Sequence, residues 1–165
     1  MTAPPTEDLA TAVAALHDRD GIARTLAMFC LCVDEYDIEG LDDVFTEDCE
    51  VDYGPGRGGP KSGRAAVTAR IAEGQAQFLR THHQLGQSLV DLDGDTAHAI
   101  TYVTAWHRER DESVSEVRLR YLDDLRRTPA GWRIARRSVE AAGIVGFDGV
   151  PWTWVSRGEP RATAD

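Results

Sequence analysis

From residue 81 onward the apolar pattern switches from a helical period to a period of two and keeps it, which limits the chain to few folds. Thr81 to Leu92, Thr96 to Arg110, Glu116 to Arg126 and Trp132 to Ala141 alternate along their length, as strands with one buried face do. Asp93-Gly94 is a hairpin signal, and Thr128-Pro129-Ala130-Gly131 marks another turn. Before the switch the spacing predicts helices. Glu7 to Leu16 is alanine-rich and short. Asp18-Arg19-Asp20 then places acids in the first turn of a second helix, where they suit the dipole. Ile22, Leu26, Phe29, Cys30 and Val33 carry that helix to Val33 or Tyr36. A short helix over Ile38 to Phe45 follows, then a first strand, Cys49 to Tyr53, and a helix from Gly63 to Phe78. Helices first and antiparallel strands afterwards is the α+β pattern: N-terminal helices packed in the concave face of a curved, mostly antiparallel sheet. One domain over 9–156 is expected, with loose tails at 1–8 and 157–165.

Charge narrows the partners. Lys+Arg 18 against Asp+Glu 28 gives a formal net charge of -10, which argues against nucleic acid and anionic membrane. Arg118, Arg120, Arg126, Arg127, Arg133, Arg136 and Arg137 cluster, but they alternate with apolar residues and read as a solvated sheet face. Cys30, Cys32 and Cys49 are odd in number and lack close metal-ligand spacing, as expected of reduced thiols in a cytoplasmic protein. No apolar run is long enough to span a membrane. Gly54 and Gly59 have P-loop separation, but Pro60 stands where the lysine belongs, so Gly54 to Gly63 reads as a surface loop.

One position on the long helix is chemically distinctive. A step of four from Val33 continues the apolar stripe to Asp37, and a buried acid needs a partner. Tyr36 adjoins it, Tyr53 ends the first strand, and His83 and His107 lie on later strands. Taken singly, each has a plainer reading. Asp37 is equally placed to cap the short helix at Ile38, the tyrosines suit a core, and His107 suits a strand end.

Glu35-Tyr36-Asp37, Val51-Asp52-Tyr53, Arg80-Thr81-His82-His83, Ala105-Trp106-His107 and Gly131-Trp132-Arg133 occur in an order that resembles the SnoaL-like branch of the nuclear-transport-factor-2-like superfamily, closest by motif to the scytalone dehydratases. The resemblance implies a cone-shaped α+β barrel, commonly a homodimer or homotrimer, and a pocket that eliminates water without metal or cofactor. Carried onto this chain, it implies that Tyr36 and Tyr53 polarise a carbonyl, His83 is the base, Asp37 orients its imidazole, and His107 contacts the leaving oxygen. Tyr121 stands where those enzymes have an asparagine, which bears on the substrate more than on the reaction.

The residues fit that chemistry on their own terms. Proton abstraction beside a carbonyl needs a base near neutrality, which histidine supplies, and donors where enolate charge develops, which phenols supply. Leu26, Phe29, Val33, Leu85, Leu89, Val103 and Ala105 are the expected apolar walls, and Phe147 to Val155, with Trp152 and Trp154, is the expected lid or subunit contact. His83 and His107 flank the Asp93-Gly94 hairpin. A two-residue turn pairing Leu92 with Asp95 sets them on opposite faces, whereas a three-residue loop pairing Asp91 with Asp95 sets them on one. The pocket therefore requires the bulged turn, or a bulge elsewhere in that strand pair. The expected function is a cofactor-independent, dehydratase-type lyase for a small hydroxylated cyclic carbonyl compound. An isomerase or polyketide cyclase, or a non-catalytic ligand-binding module, are the alternatives on the same scaffold.

Overall fold

The computed structural model describes residues 8–158; the expected tails lie almost wholly outside them. The predicted break between the first two helices does not occur. A single helix, α1, runs over Leu9–Glu35. Asp18 is not a first-turn acid but a mid-helix anchor. It receives the guanidinium of Arg127 and, at 3.2 Å, the indole N–H of Trp132. A 3-10 turn, Glu39–Asp43, leads into β1, Phe45–Asp52. The short β2, Pro60–Ser62, and α2, Arg64–Gln75, follow. Four long strands complete the order: β3 Phe78–Asp93, β4 Thr96–Glu109, β5 Val114–Thr128 and β6 Gly131–Val145.

The α+β arrangement is as expected, with the helices packed on a six-stranded sheet of order β2-β1-β6-β5-β4-β3. The sheet is open, with β2 and β3 as its edges, and it is mixed because β1 runs parallel to β6. The second half of α1 supplies the buried stripe, Ile22, Leu26, Phe29, Cys30 and Val33. Close approach to the sheet is possible where Gly21 faces Trp132, since a Cβ there would lie 3.1 Å from the indole. Thr25 holds the same junction by donating its hydroxyl to the Trp132 carbonyl at 2.8 Å. The three thiols are buried and unlinked, and no helix among the described residues is long and apolar enough to cross a membrane.

Two bulges decide which side chains face the helices. The β3–β4 hairpin turns through Gly94 and Asp95, with Asp93 opposite Thr96 and Gly94 at φ 57°. That two-residue turn, one residue beyond the expected position, would leave His83 and His107 on opposite faces. Between Ser88↔Thr101 and Leu85↔Val103, however, three steps along β3 match two along β4. The extra residue, at Gly86-Gln87, reverses the alternation, and His83 (opposite Ala105) then shares its face with His107 (opposite Thr81). The cost falls on Leu89, expected in the wall but 68% exposed on the far side of the bulge. In β6 a similar extra residue lies at Ala135, between Asp124↔Arg136 and Leu125↔Ile134. It turns Arg137 inward, out of the solvated arginine face to which the alternation assigned it.

Candidate active site

The end of α1 places one acid in the site and turns another away. Tyr36 takes the left-handed conformation, φ 58°, at the position after the helix cap. The N–H of Asp37 then bonds the Cys32 carbonyl at 2.8 Å and that of Tyr36 the Val33 carbonyl at 3.4 Å, the reciprocal pair that closes a helix. The apolar stripe therefore stops one turn before Asp37. That carboxylate is exposed and accepts the Gly40 N–H at 3.0 Å, at the start of the 3-10 turn. Tyr36 is also turned outward, half exposed, with its hydroxyl donating to the Ala72 carbonyl at 3.3 Å.

Asp34, in the last helical turn, occupies the place expected of Asp37. Its Oδ1 lies 2.7 Å from His83 Nδ1 and accepts the Thr81 hydroxyl at 2.8 Å, while Oδ2 accepts the His83 backbone N–H at 2.8 Å. Burial works to raise the Asp34 pKa, but the side-chain and backbone hydrogen bonds from His83, together with Thr81, hold it below the ordinary carboxylate value. An ionised carboxylate only accepts, so His83 Nδ1 carries the hydrogen, which in the neutral tautomer puts the ring's lone pair on Nε2. The neighbouring His82 is the exposed member of the pair, with 70% of its side chain in solvent. Asp34 follows Cys30 by four on the helix, and that spacing is its sequence signal.

His83 and His107 meet edge to face, ring centroids 5.7 Å apart, and Phe78 and Phe147 flank His107 at 4.4 and 5.4 Å. Burial, with His83 and Arg57 alongside, pushes the His107 pKa down to about 3. It is a neutral imidazole at physiological pH. Both histidines line a cavity of about 100 Å³ that also reaches Val33, Tyr53, Ala105, Tyr121 and Trp152. A void of roughly this size holds a single small ring. Burial raises the Tyr53 pKa to about 12, which keeps the phenol a donor. Three buried polar atoms at the cavity have no protein partner, Gln75 Oε1, His107 Nδ1 and Trp152 Nε1, while Tyr53 OH has only the Arg137 guanidinium acting on it. Unsatisfied groups gathered at one void are sites for a ligand or water.

Of the other expected wall residues, Leu26 and Val103 are buried in the core rather than at the cavity, and Leu85 packs beside them. Phe147 stands behind His107 and against Trp152, ring centroids 5.8 Å apart. The segment after β6 is held by backbone bonds, Gly56 N–H to Pro151 and Ala141 N–H to Thr153. The glycine-rich loop is more than a surface connection, since its Arg57 enters the cavity wall.

Behind the cavity lies a buried ion pair that the alternation of β5 signals. Leu119, Tyr121, Asp123 and Leu125 all point inward, and Asp123 meets Arg137 across the ladder. Two bonds of 2.7 and 2.8 Å join them, with neither side chain exposed. The guanidinium lies in the corner formed by Phe29 and Tyr121, 4.2 and 3.9 Å from the ring centroids, where the two rings meet edge to face.

Residues 14–138 match the SnoaL-like domain family model. An uncharacterized protein of Mycobacterium tuberculosis is 33% identical over 127 residues, which is 76% of this chain and 86% of that one. In fold the chain is similar to a provisionally assigned scytalone dehydratase of Novosphingobium aromaticivorans (TM-score 0.82, 24% identity, 90% of this chain and 99% of that one). It is also similar to a hexachlorocyclohexane dehydrochlorinase of Novosphingobium barchaimii (TM-score 0.73, 13% identity, 88% and 99%).

Proposed function

The chain belongs to the SnoaL-like family, and on that premise we propose that it is a lyase of the dehydratase type. Its substrate is a small cyclic carbonyl compound with a hydroxyl group β to the carbonyl. The observation that carries this reading is the Asp34–His83 dyad at the cavity wall, with Asp34 held by three donors. Two neighbours in fold, named as a dehydratase and a dehydrochlorinase, are eliminating enzymes by description and accord with it.

The reaction runs in two proton movements. His83 Nε2 takes the proton from the carbon beside the carbonyl, and the C–H electron pair moves toward the carbonyl oxygen. Asp34 stabilises the imidazolium that forms, as an orienting carboxylate does. Tyr53, a phenol kept protonated by burial, donates to the oxygen as negative charge develops there. The carbon–oxygen bond at the β position then breaks, the imidazolium returns its proton to the departing hydroxyl, and water leaves. His107, neutral at this pH, contacts the leaving oxygen and does not act as the acid.

The test uses small cyclic β-hydroxy ketones in deuterated water. Conjugated product should accumulate with the native chain and fall by roughly 10²–10⁴-fold in His83→Ala. Product formation undiminished in His83→Ala would sink the reading. Exchange without loss of water would point to an isomerase using the same dyad.

A further inference from the structure

Arg57 presents a cation to the cavity with no anion beside it. Its guanidinium carbon lies 4.8 Å from the Phe147 ring centroid and 5.1 Å from that of Trp152, and the residue lines the cavity with His83 and His107. The only carboxylate that acts on it electrostatically among the described residues is Glu109, which accepts the Ser115 hydroxyl at 2.6 Å. A second cation, Arg70, acts on it more strongly than Glu109 does; its Nε donates to the Arg57 backbone carbonyl at 2.8 Å and its Nη1 lies 3.8 Å from Glu73 Oε2. Burial and Arg70 together lower the Arg57 pKa. A half-buried guanidinium beside another cation and in no ion pair of its own is costly unless an anion completes it. One more donor without a partner, Trp152 Nε1, belongs to the same cavity wall.

We infer that the cavity takes an anionic ring compound, with a carboxylate on the ring, and that Arg57 is its counter-ion. The Phe147 and Trp152 rings cover part of the guanidinium, and a charge-assisted hydrogen bond is stronger in such a partly desolvated place. This inference rests on the proposed function for the cavity's role and narrows its substrate from a cyclic carbonyl compound to one bearing a carboxylate. No bond changes at Arg57; its part is binding and placement.

Benzoate and its neutral counterpart benzamide are the probes, with calorimetry and the summed tryptophan fluorescence as readouts. The native chain should bind benzoate at least about tenfold more tightly than benzamide. Arg57→Met, which keeps the aliphatic stem against the two rings, should abolish that preference, and Arg57→Lys should restore part of it. The preference should survive in His83→Ala, which separates it from the dyad. Equal affinity for the two probes, no saturable benzoate binding at millimolar concentration, or a preference that persists in Arg57→Met would each overturn the inference. Turnover of neutral ketones that depends on His83, without any anion preference, would leave the lyase reading standing and remove this one. A clear anion preference with no His83-dependent turnover would do the reverse.

Discussion

His107 should make this protein acid-sensitive by an amount that can be worked out. Its pKa falls to about 3 in the folded chain, against about 6.5 for an unperturbed imidazole. Between those values the unfolded chain binds the proton and the folded chain does not, so stability falls as pH falls. The His107 contribution is complete above about pH 6.5 and erodes steadily toward pH 3. From pH 7.5 to 5.0 the two pKa values give a loss of about 2 kcal/mol from this one residue. For a domain of this size that is about 1 M in urea midpoint. The perturbation is His107→Gln, which removes the titrating ring and keeps a polar side chain. Urea unfolding of both proteins at the two pH values gives a double difference in which the other titrating groups largely cancel. The variant should lose about 2 kcal/mol less than the native chain on acidification, whatever its starting stability. Parallel losses would refute the reasoning, because they would mean that His107 titrates alike in both states. An NMR titration gives a second readout: the His107 ring resonances should keep their neutral positions down to about pH 4.

Three further outcomes follow from the geometry. Asp34→Asn should lower kcat/KM by at least about 100-fold through the wrong His83 tautomer, whereas Asp37→Asn should change it less than about twofold; steady-state kinetics of the pair decides which acid serves the base. Arg137→Met leaves the Asp123 carboxylate buried and alone and should cost about 3–5 kcal/mol in urea unfolding, with most of it recovered in the double variant Arg137→Met, Asp123→Leu. Recovery failing in the double variant would mean that the aromatic contacts of Arg137, not its charge, hold that layer. Deleting Gln87 removes the extra residue between Leu85 and Ser88, so far-ultraviolet dichroism should keep its sheet signal while His83-dependent turnover disappears; an unaltered rate would mean that the bulge does not set the face of His83.

The layers of this fold are legible in the sequence because they depend on period. Ile22, Leu26, Phe29 and Val33 mark the buried half of α1, and the alternation of β4 from Ala97 to His107 marks its inner face. The joint between predicted helices at Asp18 was misleading because an acid at a helix start and an acid anchoring an arginine look alike in one dimension. Asp123 is legible from the inward alternation of β5. What decides the site is harder to read. Asp34, not Asp37, lies against His83 because α1 ends at Tyr36, a non-glycine residue in a left-handed conformation, where no glycine announces the stop. The bulges at Gly86-Gln87 and Ala135 exchange faces along β3 and β6, and a bulge is fixed by how the sheet closes on the helices, not by its own residues. His83 and Arg137 face inward for the same reason, and in each case one extra residue decides.

β3 is an edge of the sheet, and edge strands carry backbone N–H groups with no strand to receive them. One of these, at His83, is taken by Asp34 Oδ2. The carboxylate that sets the imidazole is thus also a rivet between the helix end and the free margin of the sheet. Loss of its charge would let that margin fray as well as release the ring. Amide hydrogen exchange at His83 should therefore report the ionisation of Asp34, slow while the carboxylate is intact and quick once it is protonated. The same bond denies an incoming strand a place to begin pairing beside the cavity, so that guarding the edge and holding the His83 ring fall to one side chain.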